Sequence, residues 1–392
     1  MRRLNATVSP LLLDVINELV EREGLPQKKL TQTVAELSRL FTKDRNHLTR
    51  SYLDEDLLRV GYLQYFLPVN LVKIQLLFEE MPAPEPVEGF SVLDIGSGPG
   101  TGALAVLDWW HQRKLPNALS VAAVDDTSGA LRQAKQLWER YCRAAGIQEA
   151  DLRTYEGDLE RRAWLEQVRQ KGPFDLIILS NCLNEIFVNI DDPIMARTAL
   201  VEEFLTLLTT RGTMMIVEPA LRQTSRALHQ LRDRLLQMKR CTIYSPCLHE
   251  SNCPALAKPD DWCHEERAWE PPAIIKGIDE EVGFIKDALK FSYLLLRNDG
   301  KTIVNRRADV YRVVSELREL KGEKRAWLCN EQGRPAVGRQ DRLASLGNEA
   351  FDQWHRGAIV QIEKIVRKEK GGKVSALGRI EQGTAVHIIR SA

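Results

Sequence analysis

The chain has 392 residues, 44% hydrophobic and 28% charged, with a formal net charge of +1. That suits two or three domains with real cores. No apolar run reaches the ~18 residues that cross a bilayer, and Met1–Asn5 leads into no apolar block with a small-residue cleavage site, so neither a membrane span nor a secretory signal is expected and the compartment read from the sequence is cytoplasmic. The near-neutral total hides an asymmetry. From Lys301 onward there are 19 Lys/Arg against 11 Asp/Glu. A basic tail of this kind suits a phosphate-rich partner.

In chain order, residues 1–81 form an expected helical domain. Leu11, Leu12, Leu13, Val15, Ile16 and Val20 make an apolar stripe at helical spacing. A second helix is expected at 31–41 and others across 54–81, broken or kinked at Pro68. Tyr62, Tyr65 and Phe66 precede that break and read as core; the alternative reading has this segment closing over the cofactor pocket. Met81-Pro82-Ala83-Pro84-Glu85-Pro86 reads as a stiff linker. Strands and helices then alternate over 90–297, the signature of a parallel α/β sheet. Strands are expected at 91–95, 120–124, 153–155, 174–179, 213–217, 241–244 and 291–296. Between 245 and 289 the pattern stops, in a proline- and cysteine-rich insert too long for a plain connection. Residues 300–392 form a basic, small β-rich unit, with strands expected at 358–366, 373–377 and 384–389.

Asp94-Ile95-Gly96-Ser97-Gly98-Pro99-Gly100 lies where the first strand turns into a helix. Glycines there let the backbone turn sharply and approach a ligand closely, a geometry shared with dinucleotide sites. Asp94 before the glycines, Pro99 within them, and Asp125 at the end of the second strand, where a carboxylate can take both ribose hydroxyls, separate the readings. This resembles the first motif of class I S-adenosylmethionine-dependent methyltransferases, over residues 90–297. The resemblance implies a Rossmann-like methyltransferase sheet, with Gly96, Gly98 and Gly100 along the methionine and ribose of the ligand and Asp158 near its adenine. After the fourth strand the chain reads Ser180-Asn181-Cys182-Leu183-Asn184-Glu185-Ile186, without the prolines and aromatic of exocyclic-amine methyltransferases. Asn181, Asn184 and Glu185 read as polar groups at the pocket mouth, and no catalytic base is assigned. Cys182, without a preceding proline, is a poor match to a carbon-methylating nucleophile.

Seven cysteines are present. Cys247, Cys253 and Cys263 lie close together, and Cys329 follows 66 residues after Cys263. Four thiolates suit a tetrahedral zinc or an iron–sulfur cluster. Paired Cys-x2-4-Cys knuckles are missing and the wide spacings favour the cuboidal cluster, while His249 and His264 keep zinc open. The segments Pro246-Cys247-Leu248-His249, Asn252-Cys253-Pro254, Trp262-Cys263-His264, Lys290-Phe291-Ser292-Tyr293-Leu294 and Leu328-Cys329 before Gly333-Arg334 resemble the small-ribosomal-subunit methyltransferase-like assembly factors of bacteria and mitochondria. Leu248 and Glu265 stand where that family commonly has a proline and an aromatic. The resemblance implies a 4Fe-4S cluster on Cys247, Cys253, Cys263 and Cys329, binding to small-subunit rRNA, and action in ribosome assembly or translation. The expected function is therefore an S-adenosylmethionine-binding, iron–sulfur-containing rRNA methyltransferase. The alternatives are a non-catalytic RNA-binding factor on the same scaffold and a zinc-containing methyltransferase of another substrate. In the tail, Arg306, Arg307, Arg312, Arg318, Lys321, Lys324 and Arg325, with Trp327, Trp354 and His355 as stacking rings, are the expected RNA surface.

Overall fold

The computed structural model describes residues 7–45, 52–82, 89–284, 288–370 and 373–391. The linker expected at 81–86 lies outside the described residues from position 83 on. Four helices come first: α1 (Pro10–Arg22), α2 (Gln27–Thr42), α3 (Asp56–Gly61) and α4 (Leu67–Phe78). Ser9 caps α1 by accepting from the Leu12 amide at 3.2 Å, with Pro10 in the first turn, where its missing N–H costs nothing. The stripe Leu12, Val15, Ile16, Leu19 and Val20 is buried. A π-helical turn at Tyr62–Phe66 joins α3 to α4, and Pro68 occupies the first turn of α4. Helical backbone thus runs on from 56 to 78, and the proline sits where the regular α ladder gives way to a local widening of the kind found at functional sites.

The α/β region follows as β1 (Gly89–Ile95), α5 (Thr101–Gln112), β2 (Ala118–Asp125), α6 (Ser128–Ala145), β3 (Ala150–Glu156), α7 (Leu165–Arg169), β4 (Phe174–Ser180), α8 (Pro193–Leu205), β5 (Leu208–Pro219), α9 (Arg222–Gln237), β6 (Thr242–Ser245), β7 (Glu265–Ala268), α10 (Ala273–Val282) and β8 (Ala288–Arg297). The sheet order is β3-β2-β1-β4-β5-β8-β6, with β7 also on β8. β1 to β5 run parallel, and β8 is antiparallel to β5. This is the class I methyltransferase sheet. The insert read as irregular over 245–289 holds both β7 and α10. β6 pairs with β8 near Leu295–Arg297 and β7 pairs with it near Ala288–Phe291, so residues 246–264 leave and rejoin one sheet edge.

The N-terminal helices pack into one core with α5, α6 and one face of the sheet; the other face is closed by α8 and α9. Asp108, fully buried on α5, fastens this packing by accepting from Ser9 Oγ at 2.5 Å and from the Tyr141 hydroxyl at 2.7 Å. The tail forms a second sheet from β9 (Val310–Val313), β10 (Arg318–Leu320), β11 (Glu323–Cys329), β12 (Ala336–Gln340), β13 (Ile359–Ile362), β14 (Val366–Lys370), β15 (Lys373–Arg379) and β16 (Val386–Arg390) around its own core. No helix among the described residues is long and apolar enough to cross a membrane.

Candidate functional site

At the carboxyl ends of β1, β2 and β4, where ligands bind in open α/β sheets, the glycine loop opens onto a cavity of about 420 Å³. Gly96, with φ +65°, packs on Cys182, whose Cβ would lie 2.5 Å from an added Cβ. A side chain on Gly102 would strike Asp94 Oδ1 at 2.4 Å. Gly96, Gly98, Asp94, Asp125, Asp158 and Asn181 all line the cavity. Gly100 turns instead toward Ala134 of α6.

Asp94 accepts from the Ala103 amide at 2.8 Å, which fixes the entry of α5. Asp125 lies beneath the loop. Its Oδ2 accepts from the Gly98 amide at 2.7 Å and its Oδ1 from the Thr127 amide at 3.0 Å. Asp158 caps its own turn through the Glu160 amide at 2.8 Å. Asn181 takes a left-handed conformation, φ +59°, which Asn tolerates and which clusters at binding sites. Cys182 is buried, and burial holds its thiol well above the ordinary range. Its sulfur lies 3.4 Å from the Ile95 carbonyl.

The N-terminal helices supply the opposite wall, in line with the alternative reading of the segment holding Tyr62 and Phe66. Phe41, Tyr52, Tyr62 and Phe66 line the cavity and contact one another, with Phe41–Phe66 ring centroids 5.0 Å apart. The Tyr62 hydroxyl is 3.4 Å from Thr101 Oγ1, in the first turn after the glycine loop, and 3.3 Å from Asn70 Nδ2. Arg45 donates to Asn184. Burial is the largest cause raising four carboxyls: Asp94 to about 7, Asp125 to about 6, Glu185 to about 8 and Glu218 to about 7. Amide donors partly offset this at Asp94 and Asp125, and Arg45 and Arg197 do so at Glu185 and Glu218.

The four cysteines form a second locus. α9 laces the insert through side chains at helical spacing on one face. Arg226 donates to the carbonyls of Ala255, Lys258 and Asp261; His229 Nε2 lies 2.9 Å from the Cys263 carbonyl; Arg232 donates to the His249 carbonyl at 2.7 Å. Asp233 accepts from the Cys253 amide at 2.9 Å. Cys329, at the end of β11, has its sulfur 3.6 Å from His249 Nε2. The thiols lie near enough to act on one another electrostatically. Burial first, then Cys247 and Cys263, push Cys253 up to about 12, and Cys329 is raised by burial and then by Cys247, Cys263 and Cys253. Cys263 is raised to about 11, chiefly by burial, with the Arg334 guanidinium opposing. Among the described residues, no three His, Cys, Asp or Glu side chains are arranged to hold a metal ion. The donor set suits a thiolate-bound group in residue type, but the described residues do not assemble it into a metal site.

Two of the expected RNA-surface residues are corrected. Trp354 is 3% exposed, packed on Phe351, and Arg312 is 3% exposed, inside an ion network. Trp327 is 44% exposed, with the Arg334 guanidinium 5.9 Å from its ring centre.

The sheet order and the loop at its topological switch define the class I methyltransferase fold. The family model described as mitochondrial small ribosomal subunit Rsm22 matches residues 62–337, and the chain belongs to that family. No curated protein matches. Among solved structures, the chain is similar to a proposed SAM-dependent methyltransferase from Streptococcus mutans (13% identity, 58% of this chain, 48% of that one, TM-score 0.35). It is also similar to the CcbJ methyltransferase from Streptomyces caelestis (12%, 38% and 49%, 0.26) and the CurJ carbon methyltransferase (16%, 72% and 70%, 0.35). It spans about half the length of the first two.

Proposed function

We propose that this protein is a small-ribosomal-subunit factor that binds S-adenosylmethionine in the 420 Å³ cavity, transfers its methyl group to rRNA, and holds a 4Fe-4S cluster on Cys247, Cys253, Cys263 and Cys329. The observation that carries the reading is the cavity itself. One half-open space joins the glycine loop, the Asp125 carboxylate and an aromatic wall from the N-terminal helices. Asp125 receives the ribose hydroxyls, Gly98 leaves room for the ligand, and Asn181 and Glu185 face the acceptor side. A cluster on the four cysteines would cross-link the insert to β11; zinc is the alternative occupant. The decisive experiment offers labelled S-adenosylmethionine to immature small subunits. Label in rRNA supports transfer. Binding without transfer supports the second reading, a non-catalytic factor, which the Arg45–Asn184 bond on the acceptor side favours.

The four raised carboxyls give a pH prediction. Their folded values of about 6 to 8 lie above the unfolded values near ~4. The stability they contribute is therefore fully present below pH ~4 and lost as pH rises through their folded values. A cationic ligand should offset that loss. S-adenosylmethionine, a sulfonium, is expected to outbind neutral S-adenosylhomocysteine several-fold at pH 8.5, with the ratio shrinking at pH 5.5. Calorimetry at both values checks this, and a ratio independent of pH counts against a carboxylate-lined sulfonium site.

For RNA, Trp327 is the exposed ring with a guanidinium beside it. Trp327→Ala is expected to weaken binding to single-stranded rRNA segments by about 1–3 kcal/mol, the worth of one stacked base. Trp354→Phe should leave affinity unchanged. Filter binding at fixed salt compares them.

A further inference from the structure

Residues 181–186, between β4 and α8, form a turn whose backbone is tied down by two neighbouring elements. Arg197 of α8, itself buried, donates to the Ile186 carbonyl at 2.8 and 3.0 Å and to the Asn184 carbonyl at 3.4 Å. Glu218 of β5 accepts from the Leu183 amide at 3.1 Å. Within the turn, the Glu185 amide donates to the Cys182 carbonyl at 3.0 Å, and Asn184 Nδ2 to the Asn181 carbonyl at 2.9 Å. From the opposite wall, Arg45 donates to Asn184 Oδ1. Asn184 and Glu218 are thus engaged in holding the turn. Glu185 is not. Its carboxylate lines the cavity and accepts no hydrogen bond among the described residues.

The other carboxylates of the cavity are occupied. Asp94 and Asp125 accept from backbone amides, Asp126 from the Thr127 hydroxyl at 3.1 Å, and Asp158 from the Glu160 amide. No histidine lines the cavity among the described residues. Lys73 donates to Asn70 at 2.9 Å, and Lys290 lies 3.0 Å from Glu266. Burial raises the hydroxyls of Tyr52 and Tyr62 and the Cys182 thiol, which keeps all three protonated. Glu185 is therefore the group left to take up a proton inside the cavity. Burial and then Glu218 push it up to about 8, with Asp125 and Asp126 adding and the Arg45 guanidinium opposing. A base acts best when its value lies near the working pH.

We propose that Glu185 is the proton acceptor of the methyl transfer, and that the methylated atom is a heteroatom bearing a hydrogen, a nucleobase N–H or a hydroxyl. The inference rests on the methyl-transfer reading above. In the step, a lone pair of the acceptor atom bonds to the methyl carbon. The carbon–sulfur bond breaks with its electron pair passing to sulfur, and neutral S-adenosylhomocysteine is left. The proton shed by the acceptor atom goes to a Glu185 oxygen and from there to solvent. The anchored turn holds the carboxylate in place, so little reorganisation is needed at the moment of transfer.

The test uses the full chain, labelled S-adenosylmethionine and immature small subunits. Initial rates are measured at saturating S-adenosylmethionine between pH ~6 and ~9, across the ordinary working range of such a base. The wild-type rate is expected to rise with pH as Glu185 loses its proton and to level off above about 8. Glu185→Gln should lower the rate roughly 100-fold or more and abolish that rise, while S-adenosylmethionine affinity in calorimetry changes far less than the rate. If Glu185→Gln fails to fold, Glu185→Asp keeps a carboxylate one methylene further back; it should be slower than wild type and still rise with pH. Digestion of the labelled rRNA to nucleosides tells base nitrogen from ribose hydroxyl. A Glu185→Gln rate equal to wild type, a slow Glu185→Gln that keeps the pH rise, a Glu185→Asp without it, or label on a ring nitrogen that carries no hydrogen overturns the assignment alone. A wild type that transfers no label overturns the methyl-transfer reading and the assignment with it.

Discussion

Asp125→Ala is expected to lower S-adenosylmethionine affinity by about 100-fold or more in calorimetry, with the fold retained. Asp125 ends β2 directly under the loop, and its two oxygens already accept from the Gly98 and Thr127 amides. These bonds aim the carboxylate, leaving its remaining lone pairs for two ribose hydroxyls. Hydrogen bonds to a charged group contribute about 1.5–3 kcal/mol each, and every 1.4 kcal/mol is tenfold. Alanine also leaves the buried Gly98 amide without its acceptor, which loosens the turn. Asp125→Asn keeps the shape and one acceptor oxygen, so its loss should be smaller, on the order of tenfold. A melting curve of the ligand-free variant separates lost contacts from lost fold. Unchanged affinity in the alanine variant would remove the cavity assignment.

Cys329→Ser should give the largest loss of metal. The other three thiols lie in the loop between β6 and β7, whereas Cys329 comes from a different sheet. The wild type, purified without oxygen, is expected to be brown with a broad absorption near ~400 nm; the serine variant should be colourless and nearly metal-free. Structural thiolate centres contribute apparent binding free energies of order 10 kcal/mol, so a marked drop in melting temperature should accompany the loss. Cys142→Ser, on α6, is the control and should change neither. A colourless wild type with one zinc per chain would replace the cluster with zinc; full metal content in Cys329→Ser would dismiss the quartet.

The glycine loop and Asp125 were legible because their signals are local: a strand end, a turn only glycine fits, and a carboxylate one strand later. The expected convergence of Cys329 with the other thiols rests on family resemblance, since 66 residues separate it from Cys263 and no local rule spans that gap. The opposite cavity wall was legible only as an alternative to a plain core. Helical periodicity marks Phe41 and Tyr62 as inward-facing but not what they face. β7 was missed because Glu265-Glu266-Arg267 reads as a charged loop, and only the ion network makes such residues buriable. Trp327 and Trp354 looked alike by residue type. The alternation Ala326 in, Trp327 out, Leu328 in was the available signal, whereas Trp354 packs against Phe351 from outside any strand.

The placement of Cys329 also bears on biosynthesis. A chain emerging amino end first exposes Cys247, Cys253 and Cys263 while their partner strand is still unmade. At about 5–20 residues per second, the delay between the third and fourth thiols is roughly 3–13 s. A centre on all four thiols, as proposed, would have to wait for nearly the entire polypeptide, so a prematurely terminated product lacking β11 would present three thiols and no finished centre. Were the proposed inorganic group bound, its incorporation would act as a length check, reserving the matured protein for chains translated past the second sheet's core strand.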